Sequence, residues 1–463
     1  MINLLNKTNL INLLEKFFYP KKVALVGASN NPEKFGYTIM KNLQKAEITI
    51  YPISRSDDEI LGVKAYKSVL DIPDDIDLAI IIIPAKYIPD LFEDLHKKNI
   101  HHAVVLSGGF SEIGEEGEKL ENSLKEIAKK YNIRFIGPNC VGIINKTINF
   151  NGTFIMDPDK GDISFISQSG ALGAASVYWL RERGIGLSKF ASIGNSTDIG
   201  FSELLKIISE DKHTKVIALY VEGVKDGREF MDAAKYASEK KPLVILKAGK
   251  SPEGAKAVSS HTGSLAGSHK IFEAVIKQVG AIEVDNLYDL FNVSLGFAFQ
   301  NLPKGNKVAI ITNAGGAGVL TTDELSKYGL TLATFTQESR KKLDETLIPI
   351  ASKSNPIDVI ASGNKKDYYN ATKIALEDKN VDAVIVCCVV PTFMGMTRTE
   401  HAEGVYEAIK DSKTEKPVIA VWMAGEIAKP GTEFLEQHRI PTYNDPQTAA
   451  KVLGLMYQYA KRK

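Results

Sequence analysis

The sequence predicts an α/β protein built from three doubly wound, largely parallel sheets. Two observations predict the class. Short β-branched runs alternate along the chain with stretches whose apolar residues recur at helical spacing. The strand-like runs are apolar throughout rather than alternating, which marks sheets covered by helices on both faces. A third observation sets the domain number. The pattern restarts twice, and a chain of 463 residues suits about three domains.

The first segment, 1–150, opens on MINLLNKTNLINLLEKFF, whose helical spacing, broken by Asn and Lys, reads as an amphipathic leader helix. KKVALVGAS, EITIYPIS, LAIIIIPA, HAVVLSGG and IRFIGPN then read as five strands. GYTIMKNLQKA and GEKLENSLKEIAKKY are helices between them, giving a Rossmann-like domain. INKTINFNGTFIMDPDKG reads as a loop. The second segment, 151–302, brings DISFISQ, LSKFASIG, KVIALYVEG and PLVILKAG as strands. SSHTGSLAGS and the helix HKIFEAVIKQV follow. The third, 303–463, restarts with KVAIITNAG, LTLATF, IDVIAS, DAVIVCCVV and PVIAVWMAG. DISFISQSGALGAAS (162–176) and KVAIITNAGGAGVLT (307–321) share one register of strand, polar residue, small-residue turn and helix start. They predict two flavodoxin-like domains with matching first turns.

Composition narrows the function. A net charge of +1 argues against a general nucleic-acid or anionic-membrane binder. No run approaches the roughly 18 apolar residues of a membrane span. Cys140, Cys387 and Cys388 form no CxxC pair and no metal-ligand spacing, so no metal site is expected and a reducing cytoplasm is the simplest setting.

Four features carry chemistry. In VALVGASNNPEKFGYTIM, the turn Gly27-Ala28-Ser29 lets backbone N–H groups approach a phosphate at a helix start. It is not GxGxxG, and the second strand ends in Ser54 and Arg55, where arginine suits a ribose phosphate. CoA and NADP both carry that group. Asp57 and Asp58 follow and oppose it. Ile83-Pro84, Ser107-Gly108 and Asn139-Cys140 lie at further strand ends and clear room for an extended ligand, with Cys140 as wall. His261 sits among Gly263, Ser264, Ala266 and Gly267, without the periodicity of a core position, open to bulky phosphorylated partners. Ser167-Gln168-Ser169-Gly170 and Asn313-Ala314-Gly315-Gly316 open two helices whose free N–H groups suit an anion. A phosphorylated His261 would be that anion. Glu222, in YVEGVKDG, is placed to hold one imidazole nitrogen.

VALVGAS, SGGFSEIGEEG, GPNCVGIIN, SQSGALG, YVEG, SSHTGSLAGS and TNAGGAG together resemble the NDP-forming acyl-CoA synthetases, relatives of succinyl-CoA synthetase. The resemblance covers essentially the whole chain. It implies a CoA-binding domain followed by two ligase domains, with His261 as the phosphorylated histidine and Glu222 as its supporting carboxylate. It places Asn195, in ASIGNSTDIG, near the acyl or phosphate site. It implies acyl-CoA, phosphate and ADP going to carboxylate, CoA and ATP. The family's nucleotide module, an ATP-grasp unit binding ADP or ATP with Mg²⁺, has no counterpart sequence here. A β subunit in an α₂β₂ assembly, or a fused C-terminal module, would supply it. The rival expectations are a silent CoA-binding scaffold and an NADP-dependent oxidoreductase.

Overall fold

The computed structural model describes residues 15–262, 268–391 and 398–463, and the side chains of 259–262 fall outside that description. Residues 1–14 of the expected leader helix and the segment 263–267 also lie outside the described residues. The chain divides into two compact units, Met1–Asn286 and Leu287–Lys463.

The first unit contains two sheets. One is built from β1 (Lys22–Val26), α1 (Phe35–Leu43), β2 (Thr49–Ile53), β3 (Leu78–Ile81), α2 (Ile88–Lys97), β4 (His102–Val105), α3 (Glu115–Tyr131) and β5 (Arg134–Ile136). Its strands are all parallel in the order β2-β1-β3-β4-β5. All five strands expected from the sequence are present. Val23, Leu25, Leu78, Ile80 and Val104 have no exposed surface, as a sheet covered on both faces requires.

The second sheet begins with a hairpin, β6 (Gly142–Asn145) and β7 (Phe150–Thr153), where the sequence reads as a loop. It continues through β8 (Lys160–Ser167), α4 (Gly170–Glu182), β9 (Leu187–Ser192), α5 (Phe201–Glu210), β10 (Val216–Val221), α6 (Gly227–Ser238), β11 (Leu243–Lys247), α7 (Pro252–Thr262), α8 (His269–Val279) and β12 (Ile282–Val284). The strand order is β12-β11-β10-β8-β9-β6-β7. Strands β8 to β12 make the flavodoxin order 2-1-3-4-5, and β6 adds antiparallel to β9. Asn145 and Asn151 disguise the hairpin in the sequence. They are buried because Asn145 donates to the Phe18 carbonyl at 2.7 Å and Asn151 accepts from Thr153. One continuous core joins the two sheets, including Leu25, Ile80, Ile143, Phe150, Ile166 and Ile193. That shared core makes one unit of two sheets, and the second sheet starts before residue 151.

The second unit runs through α9 (Leu287–Phe299), β13 (Lys307–Thr312), α10 (Gly315–Lys327), β14 (Thr331–Leu332), α11 (Gln337–Thr346), β15 (Ile357–Asp358), α12 (Lys365–Glu377), β16 (Ala383–Val389), α13 (Glu400–Ser412), β17 (Val418–Met423), α14 (Lys429–Gln437), β18 (Thr442–Tyr443) and α15 (Pro446–Ala460). Its order β14-β13-β16-β17-β18 is again 2-1-3-4-5, with β15 pairing the end of β13. Helix α9 belongs to this unit, so the unit starts before residue 303. Among the described residues no helix is long and apolar enough to cross a membrane.

Candidate functional site

Two cavities open at the strand ends of the first unit. The turn after β1 forms the first. Gly27 has φ +98°, and a Cβ there would stand 2.3 Å from the Ile82 carbonyl oxygen, so only glycine lets the chain turn this closely. The resulting cavity, about 480 Å³, is lined by Gly27, Ala28, Ser29, Ser54, Arg55, Ile83 and Pro84, all expected from the sequence. Lys34, Lys67 and Tyr87 also line it, together with the carboxylates Asp57, Asp90 and Asp94, and Arg55 lies over the Tyr87 ring at 5.6 Å. The two acids that follow Arg55 have partners of their own. Asp57 accepts hydrogen bonds from Ser56 and Ser54, which lower its carboxyl below the usual range, and Asp58 pairs with Lys67 at 2.7 Å.

The second cavity, about 410 Å³, shares Ile82 with the first. It brings together Ser107, Gly108, Asn139, Gln168, Ser169, Gly170, Asn195 and Glu222 from both sheets. Ser169 caps α4 by accepting from the Leu172 N–H at 3.3 Å. The remaining first-turn N–H groups of α4 open beside this cavity. Such a helix start stabilises an anion by roughly 0.3–1 kcal/mol exposed and about 2 kcal/mol partly buried. Ser167 does not reach the cavity. It is fully buried, and its hydroxyl donates to the Ser169 carbonyl at 2.6 Å.

Glu222 is buried at 6% exposure at the end of β10, not an exposed turn residue. Gln168 fixes it, because its side-chain oxygen accepts from the N–H of Glu222 at 2.8 Å and of Gly223 at 3.0 Å. Lys247 donates to the Glu222 carbonyl at 2.8 Å. Burial pulls the Lys247 ammonium below the usual lysine range against the opposing charges of Glu222 and Glu283. Burial, with the adjoining Glu222 charge, also pushes the Tyr220 hydroxyl up to about 12. Cys140 lines the cavity as a neutral wall. Its thiol donates to the Val105 carbonyl at 3.3 Å, and burial pushes it up to about 12.

His261 falls in the last turn of α7, and its side chain lies outside the described residues. Asn313, Gly315 and Gly316 lie in the second unit. Asn313 clasps Val389, donating to its carbonyl and accepting from its N–H, both at 2.9 Å. Gly315 opens α10, and a Cβ at Gly316 would meet nothing within 4 Å.

The sequence reading passed over Glu112, Glu121, Lys247, Tyr220 and the pair Phe35–Phe154, whose rings stand 4.4 Å apart on the cavity wall. Glu121 carried a signal. It occupies the buried stripe Gly117, Glu121, Leu124, Ala128 of α3, where an apolar residue belongs. Asn195 also differs in its chemistry from an anion ligand. Its amide nitrogen lies 2.8 Å from Glu112, 2.9 Å from Glu121 and 3.1 Å from the Ser111 hydroxyl, all acceptors.

Comparison with known proteins agrees with this geometry. Residues 21–146 match the CoA binding domain, 160–296 the succinyl-CoA ligase like flavodoxin domain, and 308–463 the ligase-CoA domain. The chain is 48% identical to the ADP-forming acetate–CoA ligase II subunit alpha of Pyrococcus furiosus, over 97% of this chain and 98% of that one. It is 40% identical to the ADP-forming acetate–CoA ligase I of Archaeoglobus fulgidus, over 97% of this chain and 64% of that longer one. A dinucleotide-forming acetyl-coenzyme A synthetase 1 of Ca. Korarchaeum cryptofilum, solved in complex with phosphate and ADP, superimposes with a TM-score of 0.92. It is 35% identical, and the match covers 97% of both chains. By domain content, order and near-complete alignment, the chain belongs to the NDP-forming acyl-CoA synthetase family, in the group of ADP-forming acetate–CoA ligase α subunits.

Proposed function

We propose that this chain carries the acyl-transfer half of an ADP-forming acetate–CoA ligase, converting acyl-CoA and phosphate through acyl phosphate and a phosphohistidine. The single observation that carries the reading is the cavity where the α4 helix start, Glu222 and Asn139 meet, which shares the wall residue Ile82 with the cavity at the β1 turn. A ribose phosphate suits Arg55, Lys34 and Lys67 in the cavity at the β1 turn. The thioester end then reaches the second cavity, whose Phe35, Phe154 and Val141 walls suit the apolar part of an acyl group.

A phosphate oxygen attacks the thioester carbonyl carbon, the C–S bond breaks, and CoA leaves as the thiolate. The α4 N–H groups stabilise the charge on the phosphate through this step. An imidazole nitrogen of His261 then attacks the phosphorus, and the bond to the carboxylate oxygen breaks. Glu222 accepts the N–H of the other ring nitrogen and keeps the attacking one free of its proton. Alignment and charge stabilisation are the main requirements of phosphoryl transfer, and the α4 helix start suits them.

Transfer onward to ADP needs the ATP-grasp partner, a β subunit in an α₂β₂ assembly or a fused module. Mg²⁺ bound there would neutralise the nucleotide phosphates. The α-subunit name of the Pyrococcus relative and the greater length of the Archaeoglobus one support either arrangement. Three free, buried thiols suit a cytoplasmic setting.

The test is phosphoenzyme formation. The chain is incubated with acetyl-CoA and radiolabelled phosphate, with and without the partner. Acid-labile, base-stable label that disappears in His261→Ala, with CoA binding retained, is the expected result. Unchanged turnover in that variant overturns the phosphohistidine. Absence of label with an active partner and a matched acyl-CoA leaves a CoA-binding scaffold instead.

A further inference from the structure

The amide of Asn195 is held in one orientation by charge. Glu121, buried at 7% exposure on α3, faces a set of donors only: the Ser111 N–H at 3.1 Å, the Thr197 hydroxyl and the Asn195 amide at 2.9 Å. Burial would raise its carboxyl, but the hydrogen bonds of Ser111, Thr197 and Asn195 outweigh burial, and it titrates below the usual range. Glu112 accepts from the N–H groups of Gly109 at 2.5 Å and Phe110 at 3.1 Å through one oxygen, and from Asn195 at 2.8 Å through the other. An ionised carboxylate only accepts hydrogen bonds. Two of them on one side of Asn195 therefore fix its NH₂ toward them and its carbonyl oxygen away.

The backbone offers no alternative arrangement. Asn195 donates its N–H to the Pro138 carbonyl and Thr197 to the Gly137 carbonyl, both at 3.0 Å, which ties this loop to the end of β5. A Cβ at Gly194 would stand 2.2 Å from the Pro138 carbonyl oxygen. The other end of the side chain, Oδ1, accepts from the Asn139 amide nitrogen at 3.3 Å, and both residues line the second cavity.

Building on the proposed ligase function, we propose that Glu112 and Glu121 are positioning residues that make Asn195 a hydrogen-bond acceptor in the cavity. Asn195 then binds a donor at the thiol end of CoA, an amide N–H of its arm or the S–H itself, rather than phosphate. A carbonyl oxygen pointed at an anion is repelled; pointed at N–H or S–H, it is satisfied. Asn139 supplies the matching donor beside it, so the pair can read both halves of an amide. This narrows the expectation that Asn195 lies near the acyl or phosphate site to the thiol end of CoA, which carries the acyl group.

The test titrates CoA and desulfo-CoA into the full chain by calorimetry, for wild type, Asn195→Leu, Glu112→Gln and the double variant Glu112→Gln/Glu121→Gln. Inorganic phosphate protection of the labelling reaction is followed in parallel. Asn195→Leu and the double variant are expected to weaken CoA about tenfold, the loss of roughly one charge-fixed hydrogen bond, with the phosphate requirement unchanged. Glu112→Gln, at the half-buried rim, gives a smaller loss and keeps the test available should the buried substitution unfold the chain. If desulfo-CoA erases the difference between wild type and Asn195→Leu, the donor is the thiol; if the difference persists, it is the amide. Variants that bind CoA as wild type does, or that lose phosphate instead, overturn the assignment. A wild-type chain that binds no CoA refutes the ligase reading itself.

Discussion

Ser167 and Thr312 end the first strands of the two flavodoxin-like sheets, and each hydroxyl donates to the carbonyl two residues on, at 2.6 and 2.9 Å. The next residue in each turn clasps the end of the neighbouring strand through its side-chain amide: Gln168 holds Glu222 and Gly223, and Asn313 holds Val389. Nine residues past each hydroxyl, Ser176 and Thr321 donate back along their helices to Leu172 and Ala317. The frames coincide, but the chemistry at the clasped position does not. One turn holds a buried carboxylate and the other a valine with 40% exposure. The two domains thus share a device for presenting a helix start, and of the two only the first holds a buried carboxylate beside it.

The same pairing continues at the opposite ends of the strands, where it separates by charge. Asp211 follows α5 and Asp378 follows α12, each five residues before the third strand of its sheet. Lys241 and Lys416 precede the fourth strands and donate to the Asp211 and Asp378 carbonyls at 2.6 and 2.7 Å. Asp211, however, pairs with the fully buried Lys189 at 2.6 Å, whereas the hydrogen bonds to the Asp378 carboxylate come from neutral groups of Ser339, Thr336 and Asn380. Asp211→Asn leaves a buried ammonium without its counter-charge and is expected to cost about 3–5 kcal/mol. Asp378→Asn is expected to cost about 1–2 kcal/mol. Urea unfolding of the two variants checks the ranking, and Lys189→Met added to Asp211→Asn should recover most of the larger loss. Equal costs would mean that the Lys189 charge is solvated in the folded chain. Burial raises both carboxyls, and their hydrogen bonds, with the Lys189 charge at Asp211, outweigh it, so both titrate below their usual range. Their contribution is therefore present above the unfolded value of about 3.9 and lost as pH falls through the lower folded values.

The clasps give the next effect in size. Gln168→Leu strips the partner from two backbone N–H groups, and Asn313→Leu from one N–H and one carbonyl. Each is expected to destabilise by about 1–3 kcal/mol. They are expected to diverge in function, because of these two amides only Gln168 holds Glu222. Phosphoenzyme labelling should fall sharply in Gln168→Leu relative to its stability loss, and in Asn313→Leu only in proportion to it. Parallel losses in both would break the distinction between the two turns.

Much of this was legible before the structure. Period and strand composition located every long strand, because a doubly covered sheet leaves no polar alternation to confuse the pattern. The strands that escaped notice are short or disguised. Thr442–Tyr443 is two residues long, and β6 and β7 carry asparagines whose burial depends on hydrogen bonds formed only in the folded chain. At the site, residues in small-residue turns were readable, since the turn itself needs them. Glu112, Glu121 and Lys247 act across sequence separations of 25 to 83 residues. No local pattern encodes which side of an asparagine such distant charges will face.

The smallest expected difference tests the frame itself. Gly173 and Gly318 occupy the same place, six residues past the strand-end hydroxyl, and both are inside helices. Helix propensity alone favours alanine there by roughly 0.5–1 kcal/mol. The surroundings differ. A Cβ on Gly173 would meet the Phe190 ring at 3.0 Å and the Ser167 Cβ at 3.1 Å. On Gly318 it would meet Pro356 at 3.3 Å and Thr312 at 3.4 Å. Phe190 lies wholly buried on β9 and cannot turn aside, so overpacking of about 1–3 kcal/mol outweighs the propensity gain in Gly173→Ala. The looser contacts of Gly318 leave the two effects near balance, and Gly318→Ala should fall within about 0.5 kcal/mol of wild type. Thermal unfolding of the two variants measures the difference directly. If Gly318→Ala proves as costly as Gly173→Ala, close helix–strand packing is a requirement of the turn in both domains. If it does not, the tight approach belongs to the domain whose helix start faces Glu222.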